Sequence, residues 1–142
     1  METTNEKIFV YDVTLRDGEQ ASGFHMGSLE KLIMAKQLAK LGVDGIEAGF
    51  AMSSPGDEAA IHRIATEVGT KEGPIISSLA RVVKEDIDAA ARAIEPAYHK
   101  RIHVFIGTSE EHRKHKFAKD SQWILDKIAF GVSYAKQYVD DV

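Results

Sequence analysis

Asp12-Val13-Thr14-Leu15-Arg16-Asp17-Gly18-Glu19-Gln20 follows directly on Ile8-Phe9-Val10-Tyr11. The apolar run has the length and the β-branched, aromatic content of one buried strand. Carboxylates, an arginine, a glycine and a Glu-Gln pair then crowd the point where that strand must stop. Such a cluster makes neither a core nor a helix. Arg16 offers a planar fork for a carboxylate or a carbonyl oxygen, and Asp17 offers a hard oxygen ligand for a divalent cation. Gly18 lets the backbone turn close to a ligand. Taken alone, an Arg-Asp pair after a strand also reads as a surface ion pair.

Downstream, strands and helices alternate. Ser28 can cap a helix running to Leu41, with Gly42 as its stop. Leu32, Ala35, Leu38 and Ala39 form its apolar stripe, against Lys31, Lys36, Gln37 and Lys40. A second strand is expected at Gly45–Ala48. Ser54-Pro55 reads as N-cap and first residue of a helix that buries Ile61, Ile64, Ala65 and Val68. A third strand at Ile75–Leu79 leads to a helix over Lys84–Ile94, which Pro96 prevents from continuing. A fourth strand at Ile102–Ile106 is followed by a loop. Ser121 caps a last helix on which Ile124, Ile128, Val132, Ala135 and Val139 recur every three or four residues.

Four βα units in succession require a parallel sheet with right-handed crossovers. An open doubly wound sheet and a (β/α)8 barrel both satisfy that requirement. Arg16-Asp17, Glu47, Arg81 and Thr108-Ser109 all fall at or just beyond C-terminal strand ends. Barrels collect their chemistry there from many strands, whereas a doubly wound fold concentrates it at one switch point. No Gly-x-Gly-x-x-Gly or P-loop occurs. The units repeat at about 30 residues, and a full barrel runs to about 250. The expected fold is therefore α/β, a single domain over residues 1–142 in which four βα units form half of a TIM (β/α)8 barrel.

The 142 residues suffice for one real core. A net charge of -4 argues against nucleic acid or an anionic membrane as the main partner. The chain has no cysteine, which removes disulfides, thiolate metal sites and thiol catalysis and fits a cytoplasmic setting. Met1 to Lys7 are polar, without the apolar centre of a signal peptide, and no stretch is long enough to span a bilayer.

Read whole, the nonapeptide resembles the signature Asp-Thr-Thr-Leu-Arg-Asp-Gly-Glu-Gln of the DRE-TIM metallolyase family, from which only Val13 departs. The resemblance is greatest to that family's 2-isopropylmalate synthase branch. It continues through 41–50, 53–57, 79–81 and 84–88 to Arg101-Ile-His-Val-Phe-Ile-Gly-Thr-Ser109, and so covers nearly the whole chain. It implies the family's N-terminal half-barrel and a Claisen condensation of acetyl-CoA with the 2-oxo acid 2-oxoisovalerate, in leucine biosynthesis. On that basis Asp17 ligates a divalent metal (Mg, Mn or Zn), and Arg16 and Glu47 are catalytic. Arg16 stabilises charge developing on oxygen, while Glu47 orders Arg16 or a metal-bound water. Gln20, His103 and Thr108 bind substrate, His103 lining the pocket for the branched side chain.

Each residue also has a plainer reading. Glu47 in an apolar strand could be a structural partner for a backbone group or an arginine. His103 could be a satisfied core histidine, and His112 and His115 read as part of a solvated basic loop. Two departures bear on substrate identity: the family's Gly-Phe-Pro is Gly49-Phe50-Ala51 here, which loosens the turn, and Ala21–Met26 is bulkier than the usual small-residue loop. Citramalate and homocitrate synthases and a hydroxymethylglutaryl-CoA lyase type stay open. The family's His-x-His ligand pair is absent, so the chain alone is expected to be inactive. A non-catalytic half-barrel acting as an assembly module is the alternative from another class. An open four-stranded sheet has two unpaired edges, and the expected remedy is a homodimer with strand four of one copy against strand one of the other.

Overall fold

A computed structural model describes residues 7–142; the polar opening residues 1–6 lie outside the described residues. Four parallel strands, β1 (Tyr11–Asp12), β2 (Gly45–Glu47), β3 (Ile75–Arg81) and β4 (Lys100–Phe105), form one open sheet in the order β1-β2-β3-β4. Between and after them run α1 (Ser28–Leu41), α2 (Pro55–Glu67), α3 (Lys84–Ile94) and α4 (Ser121–Ala135). Strictly sequential order with right-handed crossovers puts every helix on one face. The helices accordingly pack in sequence, α1 on α2, α2 on α3 and α3 on α4. This is the arrangement of consecutive units in a (β/α)8 barrel, without closure of the sheet.

The two faces of the sheet differ as the strand period of two requires. Ile46, Ile76 and Ile102 point to the helices and are fully buried against side chains such as Ala35, Ile64, Ile87 and Ile94. Each large side chain so buried is worth about 1.5–3 kcal/mol. The other face carries Tyr11, Glu47, Ser77, Arg101 and His103. Gly45 makes room there: a Cβ on it would lie 2.5 Å from the Tyr11 ring. The ring can therefore cross the sheet, where its hydroxyl meets Ser77 Oγ and the Arg101 guanidinium lies 5.3 Å from its centroid.

Several local expectations shift. The first strand is not the buried run Ile8–Tyr11. It pairs only at Tyr11–Asp12, and Ile8, Phe9 and Val10 are exposed because the strand has a neighbour on one side only. Gly27, not Ser28, caps α1, and the Glu30 carboxylate reaches back 2.6 Å to the Gly27 N–H. Asp120, not Ser121, caps α4 by accepting the Trp123 N–H at 2.8 Å. Ser54 caps α2 as expected, accepting the Asp57 N–H at 3.0 Å. Lys31, assigned to a polar stripe, is only 6% exposed. The basic loop is a short π-helical turn, His112–Phe117, held by His112 against Ser109. Nor is the turn after β2 loose: Ala51 N–H donates to the buried Ser78 hydroxyl at 3.3 Å, a bond proline could not make.

Candidate active site

At the C-terminal end of β1 the chain turns tightly, with the N–H groups of Arg16, Asp17 and Gly18 all on the Val13 carbonyl. Asp12 reinforces the turn by accepting from the Thr14 N–H and hydroxyl at 2.9 and 3.1 Å. This buries Leu15 completely and turns the Arg16 side chain across the sheet. Its Nε donates to Glu47 Oε2 at 2.6 Å and its Nη1 to Asp17 Oδ1 at 2.9 Å. The second terminal nitrogen, Nη2, has no protein partner among the described residues.

Glu47 ends β2 with no exposure to solvent. Its other oxygen, Oε1, lies 2.5 Å from His103 Nδ1, on the inner face of β4. Burial pushes the Glu47 carboxyl up, but the hydrogen bonds from His103 and Arg16 outweigh it and hold the carboxyl below its ordinary value. An ionised carboxylate only accepts hydrogen bonds, so the shared proton belongs to His103 Nδ1. Arg16 just after β1, Glu47 at the end of β2 and His103 within β4 thus form one hydrogen-bonded chain.

Beside it lies a second network that sequence reasoning missed. Lys31 Nζ pairs with Glu19 Oε2 at 2.7 Å and Asp57 Oδ1 at 3.0 Å. Asp57 Oδ2 also accepts the hydroxyls of Ser53 and Ser54, each at 2.7 Å. Burial would lower the Lys31 pKa, yet bonds to the two carboxylates raise it above its ordinary value. The network ties the loop after β1 to α1 and to the start of α2. Its only sequence signal was Glu19 within the motif; the apolar stripe of α1 gave no hint that Lys31 would sit inside it.

The remaining expected residues are more dispersed. Gln20 is exposed and lines a cavity of about 340 Å³ together with Arg16, Lys31 and Phe50. Thr108 is exposed at the rim of a larger cavity of about 660 Å³, which it shares with His103, Arg101 and Phe105. Arg81 is a structural clamp: it holds the buried Asp86 with two guanidinium nitrogens at 2.7 and 2.9 Å. Asp17 is 63% exposed on its side chain. Among the described residues no group of three or more His, Cys, Asp or Glu could hold a metal. Asp17 supplies a single ligand, and the residues present do not amount to a divalent-ion site.

The HMGL-like family model matches residues 7–142. The 2-isopropylmalate synthase of Nostoc sp. is 54% identical over 142 residues, which is 100% of this chain and 27% of that protein. Those of Aquifex aeolicus and Thermosynechococcus vestitus are 54% and 51% identical over 137 and 139 residues, covering 96% and 98% of the chain and 26% of each relative. The chain therefore spans about a quarter of the length of the curated relatives it matches.

Proposed function

The chain belongs to the HMGL-like family, and on that premise we propose that it carries part of the catalytic face of a 2-isopropylmalate synthase-type acyltransferase. The reaction is the condensation of acetyl-CoA with a 2-oxo acid, 2-oxoisovalerate, in leucine biosynthesis. The observation that carries this reading is the Arg16–Glu47–His103 chain on the inner face of the sheet. Arg16, anchored by Glu47 and Asp17, keeps Nη2 free to donate to oxygen that gains negative charge during carbon–carbon bond formation. Preorganised donors of this kind need no rearrangement as charge develops. Gln20, from one cavity, and His103 and Thr108, from the other, are proposed to touch substrate.

Asp17 would be the chain's own ligand to a divalent ion. Because the described residues bring no group of three or more ligating side chains together, no step proposed for this chain depends on a metal. No helix among the described residues is long and apolar enough to cross a membrane. A cytoplasmic setting without nucleic-acid or membrane partners completes the proposal, as does a homodimer joining β4 of one copy to β1 of another. The parallel bridge between Arg101 and Asp141, in which Ile102 N–H donates to the Asp141 carbonyl at 3.2 Å, already occupies the start of the free β4 edge. Pairing with a second copy would use the edge beyond it.

Titration with acetyl-CoA and a panel of 2-oxo acids, followed at the Arg16 Nε–H resonance, tests the substrate class. A shift with 2-oxoisovalerate exceeding that of shorter or longer 2-oxo acids is expected. No shift with any 2-oxo acid at millimolar concentration would overturn the reading.

A further inference from the structure

His103 holds a position that a pocket wall does not need. Its Nδ1 lies 2.5 Å from an oxygen of a fully buried carboxylate whose other oxygen is taken by Arg16. With the proton on Nδ1, the Nε2 lone pair is the free one, and Nε2 has no partner among the described residues. The ring is not sealed in: its side chain is 42% exposed and lines the larger cavity. A buried acceptor behind one ring nitrogen and open space before the ring is the arrangement of an oriented general base.

We propose that His103, oriented by Glu47, is the base that removes a proton from the methyl group of the acetyl thioester. This rests on the acyltransferase reading above and adds the proton acceptor to it. The methyl C–H bond breaks and its proton passes to His103 Nε2. The C–H electron pair becomes the carbon–carbon double bond of the enolate, and the carbonyl π pair moves to oxygen, which the free Arg16 Nη2 is placed to meet. Glu47 offsets the charge of the imidazolium that results, as it already offsets that of Arg16.

Competing groups on the same face are otherwise engaged. Tyr11 is hydrogen-bonded to Ser77, and burial raises its pKa. Arg101 is paired with Asp141 at 2.8 Å, and Asp17 with Arg16. Tyr11, Arg101 and Asp141 share the cavity that His103 lines, and Glu47 and Arg16 complete its hydrogen-bonded chain. Glu19 belongs to the Lys31 network.

The test separates this assignment from the reading beneath it. Incorporation of solvent deuterium into the acetyl-CoA methyl group needs only a base and an oxyanion donor, both present on this chain. The wild-type chain should exchange faster than buffer, and His103→Gln should slow the exchange by about 100-fold or more, the range of general-base catalysis. Nitrogen-15 spectra should show neutral His103 as the Nδ1–H tautomer and move it toward Nε2–H in Glu47→Gln. Exchange at the wild-type rate in a folded His103→Gln, or an Nε2–H tautomer in the wild type, would overturn the assignment while leaving the thioester chemistry standing. A wild-type chain that does not exchange at all would overturn both.

Discussion

Glu47 accepts from Arg16 Nε on one oxygen at 2.6 Å and meets His103 Nδ1 on the other at 2.5 Å, without any exposure to water. A carboxylate buried in this way is tolerable only because both oxygens have charged or polar partners. Its removal therefore costs more than either bond contributes, since it strands a guanidinium at the edge of the core. In Glu47→Gln, which preserves shape but not charge, a loss of about 3 kcal/mol is expected, at the low end for a broken buried pair. Urea unfolding monitored by circular dichroism gives the number; a loss below about 0.5 kcal/mol, the level of an ordinary surface substitution, would contradict it.

Stability should fall at both extremes of pH. Folded Glu47 and Asp57 bind their protons less tightly than their ordinary values of 4.5 and 3.8. Their contribution is complete above those values and is lost as pH falls through the lowered folded ones. Lys31 is shifted the other way: its contribution is complete below 10.5 and is lost as pH rises through the raised folded value. Denaturation midpoints across the pH range should trace a plateau with two falling limbs. Asp57→Asn should flatten the acid limb, and an unchanged limb would argue against the shift.

Lys31→Met should loosen one loop more than the whole protein. The substitution keeps the buried stem but leaves Glu19 and Asp57 without their shared cation. Both carboxylates retain some water, so a cost of about 2 kcal/mol is expected, below the 3–5 of a fully buried pair. Hydrogen exchange of residues 18–26 should accelerate before that of β3. Uniform acceleration throughout the chain would refute the local role.

Gly45→Ala is expected to be disproportionately harmful for the addition of one methyl group. The new Cβ would lie 2.5 Å from Tyr11 Cδ2, so the ring must leave its bond to Ser77. Overpacking of this kind costs about 1–3 kcal/mol. The double variant Gly45→Ala with Tyr11→Leu should recover part of the loss in thermal unfolding, and no recovery would place the clash elsewhere.

Asp17→Asn addresses the metal and the fold separately. Its bond to Arg16 is exposed, so stability should change by less than about 1 kcal/mol. Calorimetric titration with manganese should give little or no heat with either the parent chain or the variant, since one carboxylate is not a divalent-ion site. Binding to the parent chain that Asp17→Asn abolishes would contradict this.

Much of this was legible in the linear chain. Apolar residues alternating in strands and recurring every three or four in helices specified four βα units. Right-handed connections left a doubly wound sheet and a barrel both open, and the spread of polar residues over several strand ends favoured the barrel, whose strands follow in sequence. Arg16, Asp17 and Glu47 were singled out in this way, because a nonapeptide and a carboxylate inside an apolar strand are local signals. What the chain alone could not specify is which of these residues touch. Glu47 and His103 are 56 positions apart, and only the parallel register, with Leu79 beside His103 and Ser77 beside Glu47, brings them to the same face. Lys31 was misassigned for the same reason. Periodicity marks which side of a helix a residue occupies, but carboxylates arriving from two other segments decide whether an ammonium can be buried there. The first strand shows the converse: Ile8, Phe9 and Val10 are apolar enough for a core, yet burial depends on a neighbour on both sides, and the open edge of the sheet supplies only one.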